Sequence, residues 1–158
     1  MEKIKDRIVT NLQINKCIIC KNCPLKLEAK EENKVEYGKG SLLPNIIFVI
    51  EPYCVQEEYL KIICEDIINL NEEYITYNPK CITNNQDLKH HTKQCNKYLI
   101  YEIFKLKPKK VIFFGIDIPY EIFTNDKGIE VYKLNNLFSV SYGSKTIEQF
   151  RKSLRQIL

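Results

Sequence analysis

Two short runs, Ile46–Ile50 and Val111–Phe114, are apolar at every position. Successive side chains of a strand point to opposite faces, so a strand with one solvated face alternates apolar and polar residues. A strand apolar on both faces needs cover on both, as in parallel-rich sheets flanked by helices. These two runs therefore predict central strands of an α/β sheet. Pro44 precedes the first run and Glu51-Pro52 ends it; Lys110 precedes the second and Gly115 follows it. Both are strand-sized, and no apolar run reaches the roughly 20 residues of a membrane-spanning helix.

The remaining pattern alternates helix and strand around these two. Ile4, Ile8 and Leu12 recur on one helical face, predicting an N-terminal helix over about 4–14. Residues 35–40 read as a short strand whose glycines, Gly38 and Gly40, permit a tight turn. Apolar residues at helical spacing predict helices over 57–70, 94–106 and 146–158, with a short one over 118–123. Pro108 stops the second of these. Further strands are predicted at Tyr74–Tyr77, Ile129–Tyr132 and Leu137–Val140. The expectation is a three-layer αβα domain with a mostly parallel central sheet, occupying 1–158 as a single unit that includes the N-terminal helix and a cysteine-rich segment. Sites in such sheets form at the carboxyl ends of strands. Glu51, Asn78 and Gly115 each stand just past a predicted strand end.

The start of the chain is charged and carries no apolar leader core, which predicts a reduced, cytoplasmic setting. Seven cysteines in such a setting need another explanation than disulfides, and an odd count cannot pair completely. Cys17, Cys20 and Cys23 stand at spacings of three in CIICKNCPLKLE; Cys81 follows a strand and Cys95 opens a helix. A CxxC pair with two distant cysteines is the inventory of a four-thiolate site, which suits zinc or iron–sulfur iron. Spacing chooses neither the metal nor between the Cys17/Cys20 and Cys20/Cys23 pairs. Cys64, on the inner face of a helix, reads as a small buried hydrophobe. The net charge of +4 hints weakly at a polyanionic partner.

One ordered set of motifs is more specific. Cys20-Lys-Asn-Cys23-Pro24-Leu25 is followed by Val35-Glu-Tyr-Gly38-Lys-Gly40, then by the strand ending in Glu51. Tyr74-Ile-Thr-Tyr-Asn-Pro-Lys80-Cys81 comes next, then Cys95 opening a helix, then Ile103-Phe-Lys-Leu-Lys107-Pro108-Lys-Lys-Val111-Ile112 and Gly115. In this order the chain resembles the family 4 uracil-DNA glycosylases, from about residue 17 to 115. The resemblance implies a uracil-DNA glycosylase-like fold and a [4Fe–4S] cluster held by Cys20, Cys23, Cys81 and Cys95, with Cys17 as a spare or alternate ligand. It implies that Lys89, His90, His91 and Lys93, between the last two cysteines, approach DNA, together with Ser141, Tyr142 and Lys145.

The chain departs from the family where the base would bind. Ile50 stands where the family has glycine before its glutamate, and Pro52-Tyr53-Cys54 replaces the glycine-containing turn. The loop whose aromatic ring stacks on uracil is missing, since Glu58 leads straight into a helix. Tyr77 aligns with the asparagine that reads the base edge, with Asn78 adjacent. Phe138-Ser139-Val140-Ser141-Tyr142 matches the FHPSY-type motif with serine in place of the electrophilic histidine. Base excision needs a pocket that stacks the ring, reads its edge and stabilises developing charge, and the family supplies these with the pieces changed here. The expectation is therefore a [4Fe–4S] protein without catalysis, acting as a DNA-binding or protein-binding component of a replication or repair assembly, with DNA and a protein such as a polymerase as partners and no membrane association. Two alternatives stand beside it. One is an active glycosylase for uracil or another damaged base, with Glu51 and Asn78 catalytic. The other is a small structural zinc-binding α/β domain.

Overall fold

The computed structural model describes residues 38–81, 95–123 and 128–158. Within them lie five strands: β1 (Lys39–Gly40), β2 (Ile46–Ile50), β3 (Tyr74–Tyr77), β4 (Lys110–Phe114) and β5 (Glu130–Leu134). They form one mixed sheet in the order β1-β3-β2-β4-β5, in which β1 runs antiparallel to β3 and the other neighbours are parallel. The helices are α1 (Cys54–Cys64), α2 (Asn96–Leu106), α3 (Tyr120–Phe123) and α4 (Ser144–Ile157), with 3₁₀ turns at Leu70–Glu72 and Leu137–Tyr142.

The two fully apolar runs are the central strands β2 and β4, paired from Ile46↔Lys110 to Val49↔Phe113. Their alternate residues feed two cores. Phe48, Ile50, Ile112 and Phe114 pack with Leu60 and Ile63 of α1 and with Phe150 and Leu154 of α4. Ile47, Val49, Val111 and Phe113 pack with Leu99 and Ile103 of α2 and Ile122 of α3. Helices thus cover both faces. Each fully buried Phe or Ile is worth about 1.5–3 kcal/mol, so this double-sided core holds the sheet.

Topology then places the site. From β2 the chain goes by α1 to β3 on one side, then by α2 to β4 on the other, and on by α3 to β5. The winding direction reverses between β2 and β4, so a crevice opens beyond the carboxyl ends of those two strands. Glu51 and Gly115 sit there.

Two predicted elements differ. Leu137–Val140 is not a strand but part of the 3₁₀ turn, because the Asn136 side chain accepts from the Phe138 N–H at 2.9 Å and bends the chain. The helix predicted over 57–70 runs instead from 54 to 64. It stops where Glu65 turns extended and Asp66 takes a φ of 60°. At the N-terminal edge, Gly40 has a φ of 122°, and a Cβ there would fall 2.1 Å from the Glu73 carbonyl oxygen. The predicted N-terminal helix over 4–14 lies outside the described residues. Among those described, no helix is long and apolar enough to cross a membrane.

Candidate functional site at the strand ends

Ile50 and Tyr77 are register partners at the ends of β2 and β3. The next residues, Glu51 and Asn78, therefore stand side by side. The Asn78 N–H donates to the Ile50 carbonyl at 3.1 Å, which extends the pairing by one step. After Glu51 the chain turns sharply, with the Tyr53 N–H on the Glu51 carbonyl at 2.8 Å, and enters α1.

The Glu51 carboxylate is engaged. Gln56, in the first turn of α1 and fully buried, donates through Nε2 to Glu51 Oε2 at 3.0 Å and to Asn136 Oδ1 at 3.1 Å. The orientation of the Gln56 amide follows from its partners. Asn136 Oδ1 already accepts from the Phe138 N–H, and a carboxylate only accepts, so Gln56 must present its NH₂. Its Oε1 is left buried with no partner among the described residues. Gly115, at the end of β4, makes room for Asn136. Its φ is 67°, and a Cβ there would meet the Asn136 Cβ at 2.7 Å. Tyr53 and Phe138 close over the same region with ring centroids 6.1 Å apart. Burial, and then the negative charge of Glu51, push the Tyr53 phenol above its usual range.

Ser139, in the position matching the histidine of the glycosylase motif, donates its hydroxyl to the Asn136 carbonyl at 2.7 Å. Ser141 does the same to the Phe138 carbonyl at 2.7 Å, and Tyr142 is 84% exposed. Ile50 is fully buried in the core, in the position where a glycine would let a ligand approach the backbone.

Asn78 is buried on the α2 side and donates through Nδ2 to Asn96 Oδ1 at 2.9 Å. Its Oδ1 has no partner among the described residues. That bond ties the segment ending in Cys81 to the start of α2, where Cys95 is the cap residue. Both thiols are buried, at 8% and 7% exposure. Two buried thiols brought to one end of the sheet suit a thiophilic metal in donor chemistry. The other expected ligands, Cys20 and Cys23, and the alternate Cys17 lie outside the described residues. Among those described, no three His, Cys, Asp or Glu side chains converge. Cys81 and Cys95 are the two residues of the expected four-cysteine set that fall among the described residues.

The residues expected to meet DNA divide into two groups. Lys89, His90, His91 and Lys93 fall outside the described residues. Ser141, Tyr142 and Lys145 follow β5, at the carboxyl end of the sheet. The basic run Lys105–Lys110 lies at the opposite end, where Lys110 donates to the Ile157 carbonyl at the far end of α4. Lys105–Lys110 and Lys145 thus stand at opposite ends of the sheet.

Sequence reasoning missed Gln56 and Asn136. Asn136 carried a signal, an Asn immediately before a turn; the Gln56 link to it carried none, because the two are 80 residues apart. No protein-family model matches the chain, and no curated protein sequence matches it.

Proposed function

We propose that this chain is a uracil-DNA glycosylase-like [4Fe–4S] protein that has lost base excision and serves as a DNA-binding or protein-binding component of a replication or repair assembly. The ordered motifs from Cys20 to Gly115 support the family. The observation that carries the loss of catalysis is the engaged Glu51: its carboxylate, Gln56 and Asn136 form one hydrogen-bonded bridge across the crevice. The bond from Gln56 occupies Glu51 Oε2, one of the two oxygens through which the carboxylate would orient water or face a sugar cation. Ile50 fills the adjacent position, and Ser139 spends its hydroxyl on the backbone.

DNA binding is tested by a filter or gel-shift titration over a salt series. Phosphate contacts release counterions, so affinity for DNA should fall steeply as salt rises. Lys145→Glu should weaken binding to all sequences about equally and flatten the salt slope. Absence of binding at low salt removes the DNA half of the proposal and leaves a protein partner.

One observation favours a second reading, an active glycosylase with a rebuilt pocket. The Asn78 Oδ1 is buried and unpartnered among the described residues, next to Glu51. An unpaired buried acceptor costs about 1–3 kcal/mol, which a ligand N–H would recover. On this reading base release occurs and disappears in Glu51→Gln; release that survives the substitution removes the role given to Glu51, and no release from the wild-type chain excludes the reading.

A further inference from the structure

Lys80 and Glu102 are almost completely buried, at 2% and 5% exposure, and form an ion pair of 2.8 Å. Lys80 Nζ also donates to Thr76 Oγ1 at 2.9 Å and to the Tyr77 carbonyl at 3.2 Å. Glu102 accepts from the Thr76 hydroxyl at 2.6 Å and from the Tyr74 hydroxyl at 3.4 Å. Lysine and glutamate are almost never this buried unless paired, and well-packed apolar residues in their place are often as stable or more so. Net stability is therefore a poor reason for the pair. What it supplies is registration: β3, the segment after it and α2 are locked through one set of short, directional bonds.

The positions so registered bear on the cysteines. Cys81 directly follows Lys80. Cys95 precedes Glu102 by seven residues, two helical turns, and so lies on the same face of α2. The hold on Glu102 fixes the rotation of α2 and with it the direction in which Cys95 faces; the hold on Lys80 fixes the chain immediately before Cys81. Metal–thiolate bonds have defined lengths, met to within about 0.2 Å in a well-formed site.

We infer that the buried Lys80–Glu102 pair, with Thr76 between them, is a positioning device that sets Cys81 and Cys95 for thiolate ligation of a metal. This rests on the reading of those cysteines as ligands. Removing one charge alone would strand the other in the core, so two gentler variants are used. Lys80→Met/Glu102→Leu replaces the pair with apolar side chains, and Thr76→Val removes only the hydroxyl that joins them. Iron and acid-labile sulfide per chain are measured, then the rate at which a chelator bleaches the thiolate-to-iron absorption, alongside far-UV circular dichroism and Tm. The wild-type chain should hold iron. The variants should keep the wild-type spectrum and nearly its Tm but release iron on the order of tenfold faster, the scale on which groups that orient metal ligands act. Folded variants that release iron at the wild-type rate overturn the positioning role and leave the cluster intact. A wild-type chain with neither iron nor zinc overturns the ligand reading and this inference with it. If the double variant does not fold, Thr76→Val decides by the same release rate.

Discussion

Cys64 faces α4 from the inner side of α1, and burial pushes its thiol up to about 12 against an ordinary value of 9.0, with Arg151 drawing it back slightly. Between those two pH values the unfolded chain has lost a proton that the native chain keeps. Unfolding then releases a proton, and stability falls as pH rises. The stability difference between wild type and Cys64→Ala should therefore narrow from pH 8 to pH 11, measured by urea unfolding. An unchanged difference would mean the thiol titrates alike in both states. At the strand ends, Asn136 accepts from both Gln56 and the Phe138 N–H. Asn136→Ala strands a buried amide and uncaps a turn, and should cost about 1–3 kcal/mol in the same unfolding assay. Of these residues, Glu51 and Asn78 were legible in the sequence, because polar side chains just past apolar strands mark a sheet's carboxyl edge. The Gln56–Asn136 bond and the burial of Lys80 against Glu102 were not, since the partners are 80 and 22 residues apart in the chain.

Among the elements, β2 and β4 were legible because residues buried on both faces leave a continuous apolar run, and β3 because its residues are β-branched and aromatic. The turn at Leu137–Tyr142 was misread as a strand, since Leu-Phe-Ser-Val-Ser resembles alternation; the Asn136 side chain, not apolar pattern, decides its conformation. Two substitutions test how these elements are held. Gly115→Ala puts a Cβ against Asn136 at a positive φ, between β4 and the 3₁₀ turn, and should destabilise by about 1–3 kcal/mol. Phe150→Ala empties the place where α4 meets Phe114, whose ring centroid lies 6.2 Å away, and should cost about 3–5 kcal/mol. Both are read as a fall in the urea midpoint with an unchanged slope. A near-neutral Gly115→Ala would mean that the bridge from Gln56 to Asn136 does not need its present backbone.

At the scale of the molecule, a sheet that reverses its winding between β2 and β4 offers a crevice where ligands ordinarily bind, and this chain has laid a hydrogen-bonded bridge across it. A fold can persist while the site grafted on it changes, and the proposed reading takes the ordered motifs as the retained part and the strand-end residues as the changed part. The central claim is that the chain has a glycosylase-like fold without excision. Its most direct test is uracil release from single- and double-stranded uracil-containing DNA by anaerobically purified protein whose iron content and absorption report an intact cluster. The account predicts release no greater than the no-protein control. Release well above that control, abolished by Glu51→Gln, would contradict it and make the strand-end crevice a working active site.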